Sequence, residues 1–119
     1  MNDVETWNRV VEKLAELNRR KELMWRPTQA PVGETSTILR GPYVAMVDGK
    51  TIRAYEYEFQ DWIDEEPIPS KDVTIEFVDS SMNSLWQFPD TIFRWSLIHA
   101  IQYQVADAES FLSSFLKAS

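Results

Sequence analysis

Residues 43–59 read Tyr43-Val44-Ala45-Met46-Val47-Asp48-Gly49-Lys50-Thr51-Ile52-Arg53-Ala54-Tyr55-Glu56-Tyr57-Glu58-Phe59, and this stretch decides the fold class. Two runs of strand-forming residues flank Asp48-Gly49, the dipeptide favoured by a type I′ hairpin turn because both central residues take positive φ. A two-residue loop sets Val47 opposite Lys50. Val44, Met46, Arg53, Tyr55, Tyr57 and Phe59 then share one face, and Tyr43, Ala45, Val47, Ile52, Ala54, Glu56 and Glu58 the other. Both faces are apolar near the turn, and the second becomes charged toward Glu58.

Downstream, Val73, Ile75 and Phe77 alternate with Thr74 and Glu76, and Asp79-Ser80-Ser81-Met82-Asn83 turns the chain into Ser84–Phe88, a second hairpin. Upstream, Asn2 and Glu5 have capping-box spacing. Val4, Trp7, Val11, Leu14 and Leu17 then recur every three or four residues, which predicts an amphipathic helix over about residues 3–21. Its other face carries the mixed charges Glu5, Arg9, Glu12, Lys13 and Glu16. Leu23-Met24-Trp25-Arg26 reads as a short strand ended by Pro27. Residues 27–42 hold Pro27, Pro31, Gly33, Gly41 and Pro42 and read as a long loop, with Ser36 to Arg40 able to add a strand.

Pro89-Asp90 predicts a helix start with Asp90 as N-cap, followed by the wide apolar stripe Ile92, Phe93, Leu97, Ile98, Ala100, Ile101 and Val105. Asp107 can cap a second helix bearing Phe111, Leu112, Phe115 and Leu116, the alternative being one long kinked helix. The expected fold is α+β: an antiparallel sheet of four or five strands in two hairpins, with an N-terminal helix and one or two C-terminal helices on one face. We expect residues 1–119 to form one domain.

The 119 residues contain no cysteine, which excludes disulfides, thiolate metal sites and Cys nucleophiles. No run reaches the 18 or so apolar residues of a membrane span, and residues 1–20 alternate charge with apolar residues where a signal core would be continuous, so a cytoplasmic location is expected. The net charge of −7 is unevenly spread: residues 1–53 hold nine Lys/Arg against seven Asp/Glu, and residues 54–119 three against twelve. That balance repels phosphate backbones, so nucleic acid is not an expected partner and a basic protein is.

The Trp7-bearing helix, Leu23-Met24-Trp25, the Gly49-Lys50 turn, Phe77-Val78-Asp79 followed by Leu85-Trp86-Gln87-Phe88-Pro89, and Gln102-Tyr103-Gln104-Val105-Ala106 together resemble a group of small bacterial proteins. The resemblance spans nearly the whole chain. It implies a compact bacterial domain and carries over no catalytic or binding residue, because the group has no established activity.

His99 is the sole histidine, and the nearest helical candidates for a triad with it, Ser96 and Gln102, are only its neighbours along one helix. A boundary residue of the helix is the simpler reading. Gly33, Gly41 and Gly49 lie too far apart for a phosphate-cradling loop, and no cofactor is expected. The most unusual segment is residues 56–66, with six carboxylates in eleven residues and Trp62 among them. It lacks the glycine of a calcium loop, and carboxylates crowded on an exposed strand end and loop are poorly placed to hold the raised pKa of an acid catalyst. A solvated edge or an acidic docking surface remains.

Fifteen aromatic side chains exceed what one small core hides, so some are expected at the surface as interface anchors. The function expected from these readings is an acidic protein-interaction module of inhibitor or immunity type. Its partner-binding residues are Glu56, Glu58, Asp61, Trp62, Asp64, Glu65 and Glu66, and a homodimer through aromatic surface is also expected. The alternative is a small-ligand or enzymatic domain, its pocket lying between sheet and helices and lined by Tyr55, Tyr57, Trp86 and Trp95.

Overall fold

The computed structural model describes residues 4–29 and 36–117. Helix α1 (Val4–Arg19) leads to strands β1 (Arg26–Pro27), β2 (Thr37–Val47), β3 (Lys50–Ile63), β4 (Glu66–Val78) and β5 (Ser84–Gln87), followed by helices α2 (Arg94–Val105) and α3 (Ala108–Lys117). The strands form one antiparallel sheet in the order β1-β2-β3-β4-β5. This is the expected α+β class with five strands and two C-terminal helices. The proposed cap at Asn2, and Pro31 and Gly33 of the expected loop, lie outside the described residues.

The turn at Asp48-Gly49 has φ 52° and 77°, and Val47 pairs with Lys50 as its loop length requires. The face bearing Tyr43, Ala45, Ile52 and Ala54 meets the helices. There they join Val73 and Ile75, Val11, Leu14 and Ala15 of α1, and Leu97, Ile98 and Ile101 of α2 in the core. At one margin Trp7, Phe77, Trp86 and Phe88 form an aromatic cluster, with Trp7 centred 4.7 Å from Phe88 and 4.9 Å from Trp86. The opposite face has a polar centre. Arg53, 2% exposed, holds Glu76 Oε2 at 2.6–2.7 Å through Nε and Nη2, and its Nη1 donates to the Met82 carbonyl at 2.9 Å.

Four boundaries differ from the sequence reading. β1 lies at Arg26–Pro27, so Pro27 stands within the strand, opposite Tyr43. Residues 23–25 are fastened by a side chain instead: Gln104 accepts from the Trp25 amide at 2.8 Å and donates to the Leu23 carbonyl at 2.8 Å. The strand allowed at Ser36 to Arg40 is present as the start of β2, which also takes residues 41–42 from the expected loop and runs on to Val47 with register shifts between Ile38 and Tyr43, around Gly41 and a cis Gly41–Pro42 bond. Asp90 does not cap α2, because residues 91–93 form a turn pinned to α1 by the Asn8 side chain on the Ile92 amide, and the helix starts at Arg94 with no side-chain cap.

The fourth difference is the largest. Residues 60–72 are not loop: β3 and β4 pair without a bulge from Thr51↔Val78 to Ile63↔Glu66, so the sheet holds three hairpins, not two. β2 follows β3 only as far as Glu58, and β5 follows β4 only over 76–78. Beyond them the β3–β4 ribbon stands clear as an arm. The radius of gyration is 16.0 Å, against about 13.5 Å for a compact chain of this length. The exposed surface is 8114 Å², where roughly 6,700 Å² is expected of a compact fold.

Candidate functional site

The arm closes on Asp64-Glu65, whose φ values of 50° and 63° make a tight hairpin turn with no glycine in it. Left-handed backbone costs an ordinary L-residue about 1–2 kcal/mol, less for Asp. The turn therefore places two carboxylates at the apex at some expense in stability. Next to them Trp62 is 63% exposed and Ile63 53%, and Ile68 is also exposed. From Ala54 to Ser70 the sequence holds no Lys or Arg.

The open edges of the arm are partly blocked against strand addition. Hydrogen-bonded pairing at the closing residues Ile63 and Glu66 makes residues 60 and 62 of β3, and 67, 69, 71 and 73 of β4, the ones whose backbone polar groups point outward. Pro67 and Pro69 have no N–H to offer there. The outward Trp62 amide donates to Asp61 Oδ1 at 2.9 Å, and the outward Val73 amide to Asp72 Oδ1 at 2.7 Å, the latter carboxylate also holding Arg94 Nε at 3.0 Å.

The seven expected partner-binding residues divide. Asp61, Trp62, Asp64, Glu65 and Glu66 lie exposed at the tip, and Glu58 is half-buried opposite Lys71. Glu56 is buried, its Oε1 3.2 Å from Arg40 Nε on β2, so it belongs to the body of the sheet and not to the contact surface. The residues of the alternative pocket are not brought together. Tyr55 and Tyr57 lie on the face of Arg53, with ring centroids 5.7 Å apart and Phe59 next in the ladder, whereas Trp86 and Trp95 lie on the helix side. Ile63, Ile68, Pro67 and Pro69 complete the tip and were not singled out in the sequence, where Phe59-Gln60-Asp61-Trp62-Ile63 shows no apolar–polar alternation to signal a continuing strand.

A second concavity, of about 610 Å³, opens between the end of α1, the outer side of α2 and the start of α3, lined among others by Asn18, Arg19, Lys21, His99, Tyr103 and Glu109. Lys21 Nζ lies 3.3 Å from Glu109 across it. Asn18 is buried, its Nδ2 donating to the Ala100 carbonyl at 3.0 Å, and its Oδ1 finds no hydrogen-bond partner among the described residues. His99 is exposed at this groove. Among the described residues no three His, Asp or Glu side chains gather as a metal site, and no helix is long and apolar enough to cross a membrane. Compared with known proteins, the chain matches no family model, no curated protein and no solved structure.

Proposed function

We propose that the protein is a cytoplasmic, bacterial protein-binding module of inhibitor or immunity type that engages a basic partner with the tip of the β3–β4 arm. The observation that carries this reading is the tip itself: Trp62 stands exposed on one face of the ribbon and Ile63 and Ile68 on the other, with Asp61, Asp64, Glu65 and Glu66 beside them, all held away from the body beyond the reach of β2 and β5. A solvated edge needs charge, but it does not need a tryptophan exposed among the charges. Central aromatics anchor complexes, and surrounding carboxylates steer a cationic surface toward them.

The test is kinetic. A photo-crosslinking residue at position 62 identifies the partner in the native host, and binding is then measured against salt. Neutralising Asp61, Asp64, Glu65 and Glu66 to Asn and Gln should slow association and flatten the salt dependence, whereas Trp62→Ala should speed dissociation. Binding that ignores salt and survives both changes would refute the reading.

The α1–α2–α3 groove favours a second reading, a small-ligand site, on the strength of the unpaired buried Asn18 oxygen beside His99, Arg19 and Lys21. Thermal-shift screening of the protein and of Asn18→Ala separates the two: a ligand whose shift vanishes only in the groove variant would support this reading over the arm.

A further inference from the structure

Resting on the small-ligand reading of the groove between α1, α2 and α3, we propose that its occupant is a small uncharged ring carrying an N–H donor, of the lactam or indole kind. The concavity of about 610 Å³ has the size of a small-molecule site.

What the groove lacks is a donor. Asn18, one of its lining residues, is 5% exposed, and its Oδ1 has no hydrogen-bond partner among the described residues. An amide oxygen buried without a partner is costly, so a donor that reaches it gains more than it would at an oxygen already solvated. The side-chain amides around it are committed elsewhere. Asn18 Nδ2 donates to the Ala100 carbonyl at 3.0 Å, and Gln104 Nε2 donates to the Leu23 carbonyl at 2.8 Å and to the Asn18 carbonyl at 3.5 Å. Lys21 Nζ is held by Glu109 at 3.3 Å. The donor therefore comes with the occupant.

Walls and rim define the rest of it. Met24, 65% exposed, and Tyr103, 48% exposed, offer a thioether and an aromatic ring to a flat apolar body. Among the lining residues Arg19 and Lys21 are matched by Asp107 and Glu109, so the rim charges cancel two against two and select neither an anion nor a cation.

Four probes titrated into the full chain test this, read by backbone amide shifts in proton–nitrogen spectra. Indole should move the amides of Ala100, Tyr103 and Gln104 and leave the arm tip unmoved. Benzofuran keeps the shape of indole but sets an oxygen where the N–H was, and should bind roughly tenfold or more weakly. Tryptamine and indoleacetate keep the ring and add a cation or an anion, and should bind no tighter than indole. Equal binding of indole and benzofuran overturns the donor, and a gain of about tenfold from either charged group overturns the uncharged class. In both cases the groove still stands as a ligand site. Shifts at the groove with none of the four overturn the proposal and the small-ligand reading together, the Asn18 oxygen then being met by water. The comparison changes the ligand and not the protein, so it does not depend on a variant that folds.

Discussion

Gly41 and Gly49 both have positive φ, yet they differ in what surrounds them. A Cβ at Gly49 would meet nothing within 4 Å, so a substitution there costs only the backbone conformation; at Gly41, φ 90°, it would stand 3.0 Å from the Ala54 carbonyl oxygen. We expect Gly49→Ala to lower stability by about 1–2 kcal/mol and Gly41→Ala by more, in urea titrations monitored by tryptophan fluorescence. Glu65→Gly, which relieves the same conformation at the arm tip, should raise stability by up to about 1 kcal/mol. Arg53 presents the opposite kind of residue, a charge whose buried partner depends on it. Arg53→Met should cost about 3–5 kcal/mol by stranding the Glu76 carboxylate, and adding Glu76→Leu should recover much of the loss. Equal losses in the single and double variants would show that packing, not charge pairing, holds this spot.

At the scale of the element, the β4–β5 turn is built on one carboxylate. Asp79 accepts the amides of Asn83 and Ser81, each at 2.9 Å, and Met82 turns with φ 66°. The Asn83 amide above all holds the Asp79 carboxyl below its usual range; loss of solvation opposes it, and the Ser81 amide and the Asn83 side chain reinforce it. A depressed folded value means that this contribution is present above about pH 4, where an unfolded aspartate is ionised, and fades as pH falls through the folded value. Asp79→Ala should therefore melt below the wild type at pH 7, with the gap closing under strongly acid conditions. Asp79 was legible as a turn residue because Asp and Ser bond their own backbone. Asp64-Glu65 was not, because nothing in that dipeptide demands left-handed backbone and the register of the long ribbon imposes it. Pro67 and Pro69 sit inside β4 because their positions face outward at the arm's edge, where no N–H is needed. The start of α2 was misplaced at Asp90 because a contact from Asn8, eighty-four residues away in the chain, decides the shape of residues 91–93.

For the molecule as a whole, the arm is separable from the core. Replacing Gln60–Pro69 by Asn-Gly closes the ribbon at Phe59↔Ser70 and removes only exposed residues. The shortened chain should melt within a few degrees of the full one, and its radius of gyration in X-ray scattering should fall below 16.0 Å. A collapse of stability would instead make the arm part of the folding unit. The two hairpins around Asp48-Gly49 and Asp79–Asn83 and the helical order were legible from turn residues, alternation and the 3.6-residue period; the place of β1 and the arm's reach were not, since charge and exposure look the same in a loop and in a solvated ribbon.

The Gln104 clasp sets an order of events for a chain made from its N-terminus. Its amide ties together Asn18, Leu23 and Trp25 across separations of 79 to 86 residues, and Asn18 reaches forward to Ala100. While the strands are still being translated, β1 can pair with β2 and Trp7 can meet Trp86 and Phe88, but the seat that Ala100 and Gln104 of α2 offer to Asn18, Leu23 and Trp25 does not yet exist. The local hairpins can form as they are made, but the fastening of residues 18–25 needs a chain that has passed residue 104. The contact that fastens the stretch after α1 is thus one of the longest-range in the fold, and it closes only when both ends of the described chain are present together.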